Sequence, residues 1–154
     1  MLQEVARSYF TRISHTDAQR ITGQQACAYI TAGWSVPGTV QVTASGNACL
    51  SGVRSEEEAL ILLHEFIARY QVPTAPLVLA NLLYSGDLGK TVSLRQLQRR
   101  HRHGTMDSNC MYYSVITNTG ARAAIWKNGK VVVDNCRNKG DADDALLVVT
   151  ALLA

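Results

Sequence analysis

One segment of this chain is written twice. Thr39-Val40-Gln41-Val42-Thr43 reads as a short strand, Ala44-Ser45-Gly46-Asn47 as a hairpin turn, and Ala48-Cys49-Leu50-Ser51-Gly52 as a second strand. After Arg54, Ser55-Glu56-Glu57-Glu58 carries a capping-box signature of a helix start. Ala59, Leu60, Leu62, Leu63, Phe66, Ile67 and Tyr70 then recur at helical spacing. From Ala121 to Leu153 the order returns. Ala123-Ala124-Ile125-Trp126 leads through Lys127-Asn128-Gly129-Lys130 to Val131-Val132-Val133, Arg137 stands where Arg54 stood, and Asp141 is expected to start a helix through Val149. Gly46 and Gly129 lie 83 positions apart in a chain of 154 residues, so each half holds one strand–turn–strand–helix unit.

The rest of the chain fills in around the two copies. Leu2 to Ile13 reads as an opening strand, His15-Thr16-Asp17 as a helix start carrying Ala18 and Ile21 until Gly23, and Cys27 to Trp34 as a strand. Val72-Pro73-Thr74-Ala75-Pro76 is a linker-like segment at the midpoint, followed by a strand from Leu77 to Tyr84. Val92 to Arg102 reads as a helix with Leu94 and Leu97 inside and Arg95, Arg99, Arg100 and Arg102 outside, and Cys110 to Thr117 as a strand. This order predicts an α+β fold of two halves, about 1–73 and 77–154, whose edge strands pair into one curved antiparallel sheet with helices on one face. A sheet face left uncovered on a chain this small is a candidate binding surface.

Composition narrows the class. Apolar residues make up 47% and charged residues 18%, enough for a core and too little charge for disorder. A net charge of +3 is a mild basic bias, short of what a protein held on DNA by charge alone carries. Cys27, Cys49, Cys110 and Cys136 have no C-x-x-C spacing, which argues against a metal site or a disulfide framework and predicts reduced thiols packed as small core residues. No apolar run reaches membrane-spanning length, and the N-terminus has no signal-peptide core, so the expectation is a soluble intracellular protein without a cofactor.

With the repeat laid out, the sequence resembles the TATA-binding protein family, in a short, divergent, archaeal-like or viral form. Ala44-Ser45-Gly46-Asn47 through Glu57 resembles the family's S-S-G-K-x-x-x-T-G-A-K-S-E-E. Ile125 to Val133 resembles I-F-x-S-G-K-V-V-L of the second repeat, and Asn81-Leu82-Leu83-Tyr84-Ser85-Gly86-Asp87-Leu88-Gly89 resembles the archaeal N-x-V-x-S-G-D-I-G. Leu2-Gln3 followed by Val5 is a weaker echo of that strand in the first repeat. The resemblance implies a saddle: a concave sheet laid on the widened minor groove of AT-rich promoter DNA, and convex helices that receive protein partners. Those partners would be a transcription factor B-like protein and, indirectly, the RNA polymerase machinery, at the nucleoid, the nucleus or a virus factory.

Residue by residue, the resemblance places Asn81 on a base-contacting Asn, with Glu4 as its counterpart in the first repeat, and Trp126 on a wedge position. The other wedges fall on Asn109, Thr43 and, loosely, Ala26; Leu83 and Val132 join the DNA-binding face, and Lys130 keeps a hairpin lysine that Asn47 replaces. Strand alternation puts Gln41, Thr43, Cys49 and Ser51 on the same face in one repeat and Ala124, Trp126, Val132 and Asp134 in the other, so Asp134 would oppose a phosphate-lined groove. On the partner side, Asp107 matches an acidic contact for transcription factor B, with Ser108 at the apolar position, and Arg99, Arg100 and Arg102 are candidate convex contacts.

Plainer readings stand beside these. Trp126 is also an ordinary aromatic of a half-buried strand, Asn81 a strand-end amide, and the arginine run a solvated helix face. An interaction module of the same fold that no longer grips TATA DNA is the rival function. Gly86-Asp87-Leu88-Gly89-Lys90-Thr91 imitates a phosphate-binding loop, but Tyr84 stands where its first glycine is required. No nucleophile–base, paired-carboxylate or metal pattern stands out, which points away from an enzyme.

Overall fold

A computed structural model describes residues 2–154, in which nine strands and four helices follow in the order β1 (Gln3–Arg12), α1 (His15–Thr22), β2 (Cys27–Ile30), β3 (Thr39–Thr43), β4 (Asn47–Val53), α2 (Glu56–Tyr70), β5 (Val78–Asp87), α3 (Leu94–Arg100), β6 (Thr105–Met106), β7 (Tyr112–Ile116), β8 (Arg122–Trp126), β9 (Lys130–Cys136) and α4 (Lys139–Leu153). Two compact units emerge, residues 6–80 and residues 81–154 with residues 2–5. The first has strand order β2-β3-β4-β1 and the second β5-β9-β8-β7-β6, with antiparallel ladders throughout each.

The duplication holds residue for residue from Thr39 to Tyr70: β3, β4 and α2 reappear 83 positions later as β8, β9 and α4. Each hairpin closes on a glycine with positive φ, Gly46 at 102° and Gly129 at 89°, whose N–H donates to the carbonyl of Thr43 or Trp126 at 3.0 Å. Each second strand carries a left-handed residue at the same step, Gly52 at φ 75° and Asn135 at φ 59°. The helix starts match as well. Ser55 accepts from Glu58 N at 3.1 Å, and Glu58 reaches back to Arg54 N and Nε at 3.2 and 2.8 Å. Asn138 accepts from Asp141 N at 3.0 Å, while Asp141 reaches back to Arg137 N at 3.0 Å and Nε at 3.4 Å. Asn138 therefore starts α4 two residues earlier than Asp141, where the acidic signal alone would place it.

Packing follows from alternation. In the 6–80 unit, Tyr9, Val40, Val42, Ala48, Leu50 and Val53 face Ala59, Leu62 and Phe66 of α2, all buried. In the other, Leu82, Tyr84, Tyr113, Val115, Ile125, Val131 and Val133 face Ala142, Ala145 and Val149 of α4, with Leu94 and Leu97 of α3 in the same cluster. At about 1.5–3 kcal/mol for each large side chain removed from water, these clusters are the main force holding helices to one sheet face.

Other boundaries shift for local reasons. The strand expected over Cys27–Trp34 ends at Ile30, because the Trp34 indole N–H donates back to Ile30 O at 3.1 Å and the chain turns at Gly33. Arg69 then straps this loop to α2, lying 4.3 Å from the Trp34 ring centroid and donating to Ala32 and Gly33 carbonyls at 2.9 and 2.8 Å. Glu65 does the same from the preceding turn, accepting from Ser35 N at 3.0 Å and from its hydroxyl. The helix expected from Val92 starts at Leu94, because Val92 N donates to Lys127 O at 2.8 Å and Ser93 serves as cap. The cysteines also depart from expectation: Cys136 alone is buried, Cys27 and Cys49 are half-buried, and Cys110 is exposed. Burial, reinforced by Asp141 and Asp134, pushes the Cys136 thiol up to about 11.

Two outcomes follow. At Gly129 an added Cβ would run into the Lys90 carbonyl, whereas at Gly46 it would meet Ile13 O at 3.0 Å. In urea titrations Gly129→Ala is therefore expected to cost more than Gly46→Ala, by about 1–3 kcal/mol; equal losses would contradict the close approach. Hydrogen bonds from Arg54 and from Ser35 hold the Glu58 and Glu65 carboxyls below their ordinary 4.5. A depressed pKa stabilises above the unfolded value and is lost as pH falls through the folded one. The double change Glu58→Gln/Glu65→Gln should thus flatten the fall in melting temperature below about pH 4.5, and an unchanged acid profile would refute it.

Candidate nucleic-acid interface

The faces opposite the helices hold most of the residues singled out for DNA contact, and the ladders fix which of them are neighbours. In the 81–154 unit the first cross-strand row is Tyr112, Trp126, Lys130 and Asp87. The next is Ser114, Ala124, Val132 and Ser85; the third is Ile116, Arg122 and Asp134. Tyr112 and Trp126 stack at 5.1 Å between centroids with planes 39° apart, and both are half-buried. Ile116, 72% exposed, stands at the open end.

The corresponding rows of the 6–80 unit carry other chemistry. Cys27, Thr43, Asn47 and Arg12 form the first, and Tyr29, Gln41, Cys49 and Phe10 the second. Gln41 donates to the Tyr29 hydroxyl at 3.1 Å, and Thr43 shares a hydrogen bond with Ser45 at 2.9 Å. Thr43 and Trp126 thus hold the same place in the two repeats, but the aromatic stack exists in the second alone. Tyr112 was missed in the sequence because Tyr112-Tyr113 reads as a run; strand alternation sends Tyr113 into the core and Tyr112 out.

The other expected residues divide. Leu83, half-buried, lies between core residues Leu82 and Tyr84 and so turns to the open face, on the same side of β5 as Ser85, the partner of Val132. Asn81 is half-buried, with its Oδ1 enclosed and without a hydrogen-bond partner among the described residues. Such a group costs about 1–3 kcal/mol unless something donates to it. Its counterpart in the other repeat is Ala6, and Glu4 is ruled out by register: Leu82 pairs with Cys136 and Arg7 with Val53, one residue beyond Asn81 and Ala6 respectively. Asn109 is on no strand. It lies exposed in the turn between β6 and β7, where its N–H donates to Asp107 Oδ2 at 3.3 Å. Ala26 lies between α1 and β2, also off the ladder.

Asp134 faces outward as alternation predicts, but not as a bare charge. Its Oδ2 accepts from Arg122 Nη2 at 2.8 Å across the β8–β9 ladder, and the pair raises the Arg122 pKa. An exposed pair of this kind contributes about 0–1 kcal/mol to stability; its larger effect is to hold one cation of this face in place. Among the partner candidates, Asp107 is half-buried and accepts from Asn109 and Met111 N–H groups, ordering its own turn. Arg99 and Arg102 project exposed from the region of α3, whereas Arg100 caps α4 by donating to the carbonyls of Leu152 and Ala154 at 3.0 and 2.6 Å.

This arrangement, two hairpin-plus-helix repeats each with one covered and one open sheet face, defines a duplicated α+β fold of the TATA-binding-protein type. Over 99% of this chain and 97% of the other, it is similar to the solved structure of Methanococcus jannaschii TBP, with a TM-score of 0.72 at 17% sequence identity. No family model matches the sequence, and comparison with curated proteins finds no match.

The chain has two tryptophans, so Trp34→Phe leaves Trp126 as the only one. Its emission should be partly quenched by iodide, and adding Tyr112→Ala should shift it to the red and increase the quenching. Emission indifferent to Tyr112 would mean that the two rings do not stack.

Proposed function

We propose that this chain is a TATA-binding-protein-like factor that binds AT-rich duplex DNA in the minor groove through its open sheet faces, with the 81–154 unit as the principal grip. The stacked Tyr112–Trp126 pair carries this reading. A ring held by a neighbour loses little conformational freedom on insertion, and an apolar wedge entering a base step offsets the unstacking cost with buried area. Leu83, Val132 and Ala124 extend an apolar surface along which a groove floor can lie. Lys130 and Arg122 flank it as phosphate contacts, and Asn81 is assigned base contact through its amide N–H donors, its Oδ1 being enclosed. Thr43 in the 6–80 unit offers a hydroxyl where the other repeat offers an indole, so this face is assigned backbone and groove-floor contact without a wedge. Asp107 and the exposed Arg99 and Arg102 are proposed to meet a transcription factor B-like partner; Arg100 and Asn109 have local duties that reduce their part. The role is binding and bending rather than catalysis.

Few cations flank this face, so charge supplies a small share of the affinity. With roughly two to four phosphates neutralised, log affinity should fall against log salt with a slope of about −2 to −4. A second reading rests on the wedge-free row Cys27–Thr43–Asn47: a module of the same fold that acts through protein partners and has lost selective DNA binding.

Titration with AT-rich and GC-rich duplexes across salt, with and without a transcription factor B, separates the two. The DNA reading expects AT preference, strengthened by the partner, and a loss of about 2–4 kcal/mol in Trp126→Ala. Asp134→Thr should tighten binding by about 0.5–1 kcal/mol, since it frees Arg122 for phosphate. Micromolar binding without AT preference in both settings, untouched by Trp126→Ala, would leave the interaction module.

A further inference from the structure

On the helix side of the 81–154 unit, away from the open face, a groove of about 450 Å³ runs between the start of α3, the β6–β7 turn and the second hairpin. Its floor is apolar: Val92 and Leu94 are buried beneath it and Met106 is half-buried beside it. Its walls carry two exposed cations, Arg95 and Lys127, with Gln98 between apolar and charged parts, and no acidic residue lines it. Among the described residues neither Arg95 nor Lys127 takes part in an ion pair. Asp107, the carboxylate of the same turn, lines a different depression and is occupied by backbone N–H groups. The floor itself is rigid: Val92 N is tied to Lys127 O at 2.8 Å and Leu88 N to Gly129 O at 2.9 Å, so the groove is preformed rather than assembled on binding.

We propose that this groove docks a short acidic–apolar peptide segment of a protein partner, with an apolar side chain on Val92, Leu94 and Met106 and carboxylates paired to Arg95 and Lys127. The volume falls within the range of about 300–1,000 Å³ typical of ligand sites. Two uncompensated cations above an apolar floor select for an occupant with opposite charge and a hydrophobic anchor. A nucleic-acid strand fits less well, because a sugar–phosphate chain makes no use of the apolar floor and no aromatic ring lines the groove to stack a base. The proposal is independent of the DNA reading, since none of Tyr112, Trp126, Lys130 or Val132 lines this groove.

Fluorescence anisotropy with a short dye-labelled peptide of alternating Asp and Leu tests it on the full chain. Saturable binding is expected, weakened about tenfold or more by Arg95→Glu/Lys127→Glu, reduced when Ser replaces Asp in the peptide, and little changed by Trp126→Ala. Both reversed residues are exposed, so an unaltered thermal melt should accompany the loss; Met106→Glu gives a second, apolar arm with the same expected direction. No saturable binding, or binding indifferent to the charge reversal, would overturn the proposal. So would displacement of the peptide by an oligo-dT strand that itself loses affinity in the same variant, which would mark a phosphate site.

Discussion

Everything in this molecule depends on how each repeat turns its second strand into its helix. At Gly52 and Asn135 the backbone enters the left-handed region, where glycine is free and asparagine is among the few tolerated side chains. That step is a bulge one pair before the strand ends at Val53 or Cys136, and within a few residues Ser55 and Asn138 cap a helix that returns over the same sheet face. The reach of Glu58 to Arg54 and of Asp141 to Arg137 then fixes the angle of entry twice over. Because both helices of a repeat come to one face, the opposite face of the sheet has no cover within its unit. The open face is thus a consequence of connectivity before it is a feature of any particular side chain.

On that shared frame the two repeats have diverged in what the open face presents. The row that carries Tyr112, Trp126 and Lys130 in one carries Cys27, Thr43 and Asn47 in the other. The core tolerates little such change, since Tyr9 and Tyr84, or Val53 and Cys136, must still fill equivalent space at native density. Outward positions are released from that demand and are free to follow a ligand. The asymmetry is therefore informative: the stacked aromatic pair lies where the proposed DNA contact is strongest, while the equivalent row of the other repeat holds Cys27, Thr43 and Asn47. The Arg122–Asp134 pair belongs to the same logic. A carboxylate on a face meant for phosphate is tolerable when an arginine already neutralises it.

How much of this was legible in the sequence depended on range. The hairpins and helix starts are local devices, each contained within a handful of residues, so Gly46, Gly129, Ser55 and the apolar stripe of α2 declared themselves and located the repeat. The α+β class and the helix-covered sheet of each repeat followed from them. The open face was harder. Alternation placed Gln41, Thr43, Cys49 and Asp134 correctly, yet it could not show that Arg122 sits opposite Asp134 or Tyr112 opposite Trp126, because both are cross-strand facts. Gap-free alignment failed at Asn109 because β7 does not begin until Tyr112, so counting back from Trp126 overshoots the strand into the turn before it. Matching Asn81 to Glu4 failed because the first repeat is shorter between its opening strand and its hairpin: Tyr9 and Tyr84 pair with equivalent residues, Leu50 and Val133, and that places Asn81 opposite Ala6 in the comparison of the repeats. The strap of Arg69 and Glu65 on the Gly33–Ser35 loop, which follows the shortened β2, joins residues thirty or more positions apart, beyond any local signal.

The central claim, that the Tyr112–Trp126 face is the DNA-binding surface, is tested most directly by the fluorescence of Trp126 in the Trp34→Phe chain during titration with an AT-rich duplex. Quenching is expected to saturate together with the anisotropy of the labelled DNA, with a clearly smaller change for a GC-rich duplex of equal length. DNA binding that leaves Trp126 emission unaltered, or no binding to either duplex with the partner present, would contradict it.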